Sequence, residues 1–182
     1  EDEDIVHVSG SVDPIRDIEI INLELALSDI NQIEKRRERI KKQIRTSDEA
    51  KIEDNALGKI YNALLEGKSA RSIPLNIDEI KLIKPLGLLT YKPIIYTANL
   101  SEDELLKGNV FSGKILTFAS KEADECVNIS AQVESELIEL SDNEKKDYLK
   151  GLGVNEGGLE SLIKATYRLL GLRTYFTTGE KT

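Results

Sequence analysis

The sequence predicts an α/β fold with a pair of helices set into it. Three observations carry this. Two short β-branched runs, at residues 94–98 and 127–130, are each bounded by polar turn residues and read as buried strands. Amphipathic helical segments lie between and after them, the alternation that builds a mostly parallel sheet with helices on its faces. Residues 34–83 change character, with sparse apolar positions among dense charge, which reads as an inserted antiparallel helical hairpin of coiled-coil type.

The totals set limits on this reading. With 182 residues, 40 % of them hydrophobic, there is enough apolar material for one such domain or for a smaller domain with an insertion. A net charge of −8 argues against a surface that binds nucleic acid throughout, although a local basic patch remains compatible with it. The single cysteine, Cys126, excludes an internal disulfide framework and suits a reducing compartment such as the cytoplasm. No apolar run approaches the roughly 18 residues of a membrane span. The chain starts at Glu1 and contains no methionine, so a piece of a longer protein is expected.

Residues 1–4 are acidic, and residues 5–8 are short and extended, ending at a Ser-Gly-Ser breaker. His7 is the only histidine; without a second histidine or a cysteine nearby it does not suggest a metal site. Asp13-Pro14 is a strong helix start, an N-cap oxygen followed by proline at the first helical position. Ile15, Ile18, Ile21 and Leu25 follow at helical spacing, flanked by Ile20, Leu23 and Leu27, so this half of the helix is expected to face a core. Beyond Ile33 only Ile40 and Ile44 are apolar up to Arg45. Residues 34–45 carry Lys35, Arg36, Arg37, Arg39, Lys41, Lys42 and Arg45 against Glu34 and Glu38, a local net charge of +5. Thr46-Ser47-Asp48 has turn chemistry, a second amphipathic helix runs through Ile52 to Leu64, and Gly67 suits its C-terminal cap. Asn76 and Glu79 have capping-box spacing for a short helix. After the first strand come a helical turn near residues 102–107 and a helix over 111–122. After the second strand come helices over 134–140, 141–149 and 159–170, and then a β-rich run at 173–177.

Several apparent motifs are discarded. Residues 178–182 resemble the end of a phosphate loop, but Glu180 intervenes between Gly179 and Lys181, and Thr174, five residues before Gly179, is not the glycine that the motif needs. The two glycosylation sequons begin at or inside expected buried strands. Cys126, just before a strand, reads as a small packing residue. No nucleophile–base set stands out.

The strand ends remain. The first strand stops in Asn99-Leu100-Ser101-Glu102, and the second in Ser130-Ala131. In open α/β sheets, ligands collect at the carboxyl ends of strands. Guanine presents two N–H donors on one edge, and GTPases read them with the carboxylate of an Asn-Lys-x-Asp turn. Here leucine replaces lysine and the longer glutamate replaces aspartate, which should spoil a guanine clamp. The Asn99 amide retains two options, accepting from adenine N6–H or donating to N7. Leu100 is available to pack on a base, and backbone N–H groups after Ser130 are available to close the far side. The basic stretch reads either as a solvated helix flank or as an arm contacting RNA phosphates.

In these residues the chain resembles the YchF group of Obg-like ATPases, P-loop NTPases of the GTPase superfamily. The matching stretches are 4–8 with Gly10 and 12–14; 17–19 with 24–27; 88–90 with Lys92-Pro93; 96–102; Ser130-Ala131 with Glu134 and Glu136-Leu137; 169–172; and 174–177, all in family order. The hairpin is the least family-specific part. The resemblance implies that residues 1–33 are a middle segment of the nucleotide domain and 34–83 the inserted hairpin. It makes residues 84–172 the C-terminal segment of the P-loop NTPase domain, with its base-reading loops, and 173–182 the start of a TGS domain. It implies an ATP hydrolase that uses GTP less well. Asn99 and Leu100 would contact adenine, Glu102 would take the slot of the guanine-reading aspartate, and Ser130-Ala131 would form the second base loop. Magnesium and phosphate ligands would lie outside this chain. Family members associate with ribosomes, so the expected partners are ATP and the ribosome or its RNA, with no membrane and a monomeric state. The alternative is a non-enzymatic RNA- or ribosome-binding helical module on an α/β scaffold; plainer still, the hairpin only spaces domains.

Overall fold

A computed structural model describes residues 12–176 and 178. The extended run expected at residues 5–8, including His7, lies outside the described residues, as does most of the loop-like 178–182 segment. The described chain forms two compact units, one reaching Ile15 and resuming at Ile94, the other running Arg16–Pro93. The structure is mostly helical with one small parallel sheet.

The helical unit holds most of α1 (Pro14–Ile40), α2 (Asp48–Leu65) and α3 (Ile77–Ile83), with short 3-10 turns between and after them. Helix α1 ends at Ile40, and the basic stretch continues as a 3-10 turn over Gln43–Arg45. Ser47 caps α2 by accepting from the Ala50 N–H at 3.3 Å. Gly67 takes φ +76° just beyond α2, a left-handed conformation that a side chain would strain. The Asn76–Glu79 capping box opens α3 in both directions, at 2.9 Å each way. One core joins Ile33 and Ile40 of α1, Ala56, Leu57, Ile60 and Leu64 of α2, and Ile83 and Leu88 beyond. The unit's edges therefore lie outside residues 34–83, because the chain up to Thr90 returns to α1. The fully buried Asp29 carboxylate accepts the Leu89 and Thr90 N–H groups at 2.8 Å and the Thr90 hydroxyl at 2.6 Å.

The first half of α1 meets the expectation in part, since Ile15, Ile18 and Leu25 are partly buried. Ile20, Ile21, Leu23 and Leu27 are between 46 % and 60 % exposed, and the buried line is Ala26, Asp29, Ile33 and Ile40. Apolar spacing shows which face a helix can bury. The face that is buried follows its partners, here α2 and residues 88–90, which meet the Asp29 line.

In the sheet unit, β1 (Ile95–Asn99) and β2 (Glu125–Ile129) pair in parallel from Ile95↔Glu125 to Asn99↔Ile129. The crossover runs through α4 (Val110–Lys121), as a parallel pair requires. Tyr96 and Phe118 fix α4 to the sheet edge-to-face, with centroids 5.8 Å apart. Helices α5 (Ala131–Ile138), α6 (Asp142–Gly151) and α7 (Gly158–Leu169) follow. Gly158 lets α7 approach β2, since a Cβ there would lie 2.9 Å from the Ile129 Cα. The outer stripe of α7, Leu159, Ile163, Tyr167 and Leu170, is about half exposed. The β-rich run expected after residue 172 forms no strand over its described residues, 173–176. Cys126 is partly buried, and desolvation pushes its thiol pKa up, as befits an unreactive packing residue.

Candidate functional site

Parallel pairing with Asn99 opposite Ile129 brings the two strand ends side by side. The Leu100 N–H donates to the Ile129 carbonyl at 2.8 Å, extending the ladder one step beyond β1. The Ala131 N–H then donates to Asn99 Oδ1 at 3.0 Å, so a side chain from the first loop holds the backbone of the second. Ser130 is 1 % exposed, and its Oγ caps α5 by accepting the Val133 N–H at 3.4 Å. Asn99 and Ala131 are exposed, Glu102 is half-buried, and Leu100 is buried, so little of the Leu100 side chain is left for a ligand. Ser101 donates to Glu104 at 3.0 Å; hydrogen bonds from Asn109 and Ser101 hold the Glu104 carboxyl below the usual range.

The cationic stretch divides into two kinds of residue. Arg36 grips the buried Glu53 with two bonds of 2.6 and 2.8 Å, and Arg37 grips Asp54 at 2.8 and 3.3 Å. These bonds raise both arginine pKa values above their already high reference. Lys41 pairs with Glu38 at 3.3 Å on the surface. Lys35, Arg39, Lys42 and Arg45 are exposed and take no ion pair within 4.0 Å among the described residues. Lys35, Arg36 and Arg39 also line a cavity of about 380 Å³ whose apolar wall is Leu82, Pro85 and Leu86. Sequence reasoning missed Glu53 and Asp54 as partners, although their acidic pair on the facing helix was the available signal.

Among the described residues, no three His, Cys, Asp or Glu side chains gather into a group able to hold a metal ion. No described helix is long and apolar enough to cross a membrane.

The chain is 48 % identical over 183 residues to the ribosome-binding ATPase YchF of Bacillus subtilis, covering 99 % of this chain and 50 % of that protein. It is homologous to the YchF-type Obg-like ATPases. Obg-like ATPase 1 of Caenorhabditis elegans is 35 % identical over 185 residues, covering 99 % of this chain and 47 % of that protein. The solved structure of the Schizosaccharomyces pombe YchF GTPase matches with a TM-score of 0.84 at 33 % identity, covering 98 % of this chain and 50 % of that one. No protein-family model matches. The chain thus spans about half the length of the curated YchF relatives it matches.

Proposed function

We propose that this chain supplies the base-selecting half of the nucleotide site in a longer, cytoplasmic, YchF-type ATP hydrolase. The observation that carries the reading is the Asn99 Oδ1 to Ala131 N–H bond of 3.0 Å. With the amide oxygen engaged, Asn99 offers its NH₂ group, a donor suited to purine N7. Of the two options open to an asparagine at this position, donation is the one this bond favours. Replacement of the GTPase lysine by Leu100 and of its aspartate by Glu102 then weighs toward adenine. The names of the matched relatives include both ATPase and GTPase; the departures in this loop favour ATP.

The phosphate cradle and magnesium belong to parts of the parent other than these residues. There, water attacks the γ-phosphate in line, and catalysis is positioning and charge stabilisation. In the same reading, α1 and α2 form an antiparallel arm, the parent acts as a monomer, and residues beyond 172 lead into a TGS domain. The arm is read as contacting ribosomal RNA through Lys35, Arg39, Lys42 and Arg45, with Arg36 and Arg37 serving to hold the helices together. The deciding experiment measures ATP and GTP affinities of the full-length parent carrying N99A. Weaker binding of both purine nucleotides, by roughly tenfold for a lost hydrogen bond in a closed site, supports the reading; unchanged affinities refute it.

A further inference from the structure

Within the helical unit, one face of α1 carries Gln32, Lys35, Arg36 and Arg39, whose spacing aligns them in a single row. Opposite this row stand Leu82 of α3 and Pro85 and Leu86 of the 3-10 turn Lys84–Leu86. The two sides enclose the cavity of about 380 Å³, a size that suits a small ligand. Its one carboxylate is already neutralised, because Arg36 holds the buried Glu53 with two bonds of 2.6 and 2.8 Å. Lys35 and Arg39, one helical turn apart, take no ion pair within 4.0 Å among the described residues. The lining therefore has a local net charge of +2 in a chain of net −8. Gln32 reaches across to the far side, its Nε2 donating to the Leu86 carbonyl at 2.5 Å. That amide keeps one N–H and its carbonyl oxygen, a donor and an acceptor side by side.

We infer that this cavity seats one unpaired RNA nucleotide, its base against Leu82, Pro85 and Leu86 and its flanking phosphates on Lys35 and Arg39. The inference rests on the reading of α1 as an arm that contacts RNA. Neutralising phosphates needs exposed cations and no cavity. Here an apolar wall stands beside the cations and offers a place for the flat face of a base. The Gln32 amide offers both hydrogen-bonding signs to the base edge. A base inside a paired stem is held in its stack, whereas one in a bulge or loop is free to be splayed out and bound singly. The arm would then read where an RNA is unpaired, and not only that it is charged.

The test measures the affinity of the full-length parent, at one fixed salt concentration, for RNA hairpins that differ only within the stem. One is fully paired, four carry a single bulged A, C, G or U, and one carries an abasic residue at the bulge. The abasic hairpin keeps the bend and the phosphates, so the difference from it reports the base alone. At least one bulged hairpin should bind roughly fivefold more tightly than the abasic and paired ones, the low end for a seated base with no aromatic ring stacked on it. Leu82→Asn makes the wall polar without changing its charge, and Leu82 lies outside the unit's apolar core. It should erase that preference and leave affinity for the paired hairpin unchanged. Equal binding of bulged and abasic hairpins, or a preference that survives Leu82→Asn, would overturn the inference. So would competition by a free nucleoside monophosphate as effective as that by the bulged hairpin, which would assign the cavity to a small nucleotide. If all hairpins bind alike yet Lys35→Glu with Arg39→Glu weakens every one, the arm stands and only the base seat fails. If that double reversal is silent, both fail.

Discussion

Asn99 ties one loop to the other through its oxygen, the proposed base site assigns its nitrogen to the purine, and the two roles can be separated. Asn99→Asp keeps an acceptor for the Ala131 N–H and removes the outward donor. In the full-length parent it should weaken ATP binding nearly as much as N99A, with little change in thermal stability; equal stability loss in both variants would mean the residue acts only as a tie. The two strand ends that the structure sets side by side were legible in the sequence because their parts are local, a strand stopping at an asparagine and another stopping at Ser-Ala. Asp29 was not legible. Its partners, Leu89 and Thr90, are about sixty positions away, and its place on an otherwise apolar line gives no hint of three bonds waiting there. Asp29→Ala should cost about 3 kcal/mol in urea unfolding, because two backbone donors and a hydroxyl lose their acceptor in a dry site. A loss under about 0.5 kcal/mol would show that water replaces the carboxylate.

Among the elements, α1 shows how far pattern reading reaches. Its start, its continuity and its basic end follow from Asp13-Pro14, the helical spacing and the run of cations. Which cations are free does not follow, since Glu53 and Asp54 lie 17 positions downstream of the arginines they meet. Reversing Lys35 and Arg39 should lower RNA affinity by about tenfold at low salt and flatten its salt dependence, by loss of phosphate contacts. Reversing Arg36 should instead lower the melting temperature, because Glu53 is buried and loses its partner. RNA binding that responds equally to both changes would argue against this division. Helix α3 carries a pH signature. The Lys59 ammonium at 2.6 Å, together with the Asn76 N–H, holds the Glu79 carboxyl below its usual range. A depressed folded-state pKa gives stability that is complete above the unfolded value near about 4.3 and is lost as pH falls through the folded value. The melting temperature of the chain should therefore drop on acidification below about pH 5. Glu79→Gln should start lower and drop less; an identical acid profile would exclude Glu79 as a contributor.

At the scale of the whole molecule, the α/β class was visible because strand, crossover helix and strand recur in order. On early α1 spacing marks an apolar face, of which Ile15, Ile18 and Leu25 are partly buried and Ile20, Ile21, Leu23 and Leu27 exposed, without naming the neighbour that covers each side. The 182-residue sequence contains no Gly-x-x-x-x-Gly-Lys-Ser/Thr loop. The isolated chain should therefore show no magnesium-dependent ATP turnover, and robust hydrolysis would place phosphate chemistry where this account puts none. The central claim is that the turn Asn99-Leu100-Ser101-Glu102 selects adenine because it departs from the guanine clamp. The most direct measurement is the ATP-to-GTP affinity ratio of the full-length parent carrying Leu100→Lys together with Glu102→Asp. The account predicts that the ratio swings toward GTP by at least about tenfold, the equivalent of some 1.4 kcal/mol. A ratio equal to that of the unaltered protein would contradict it.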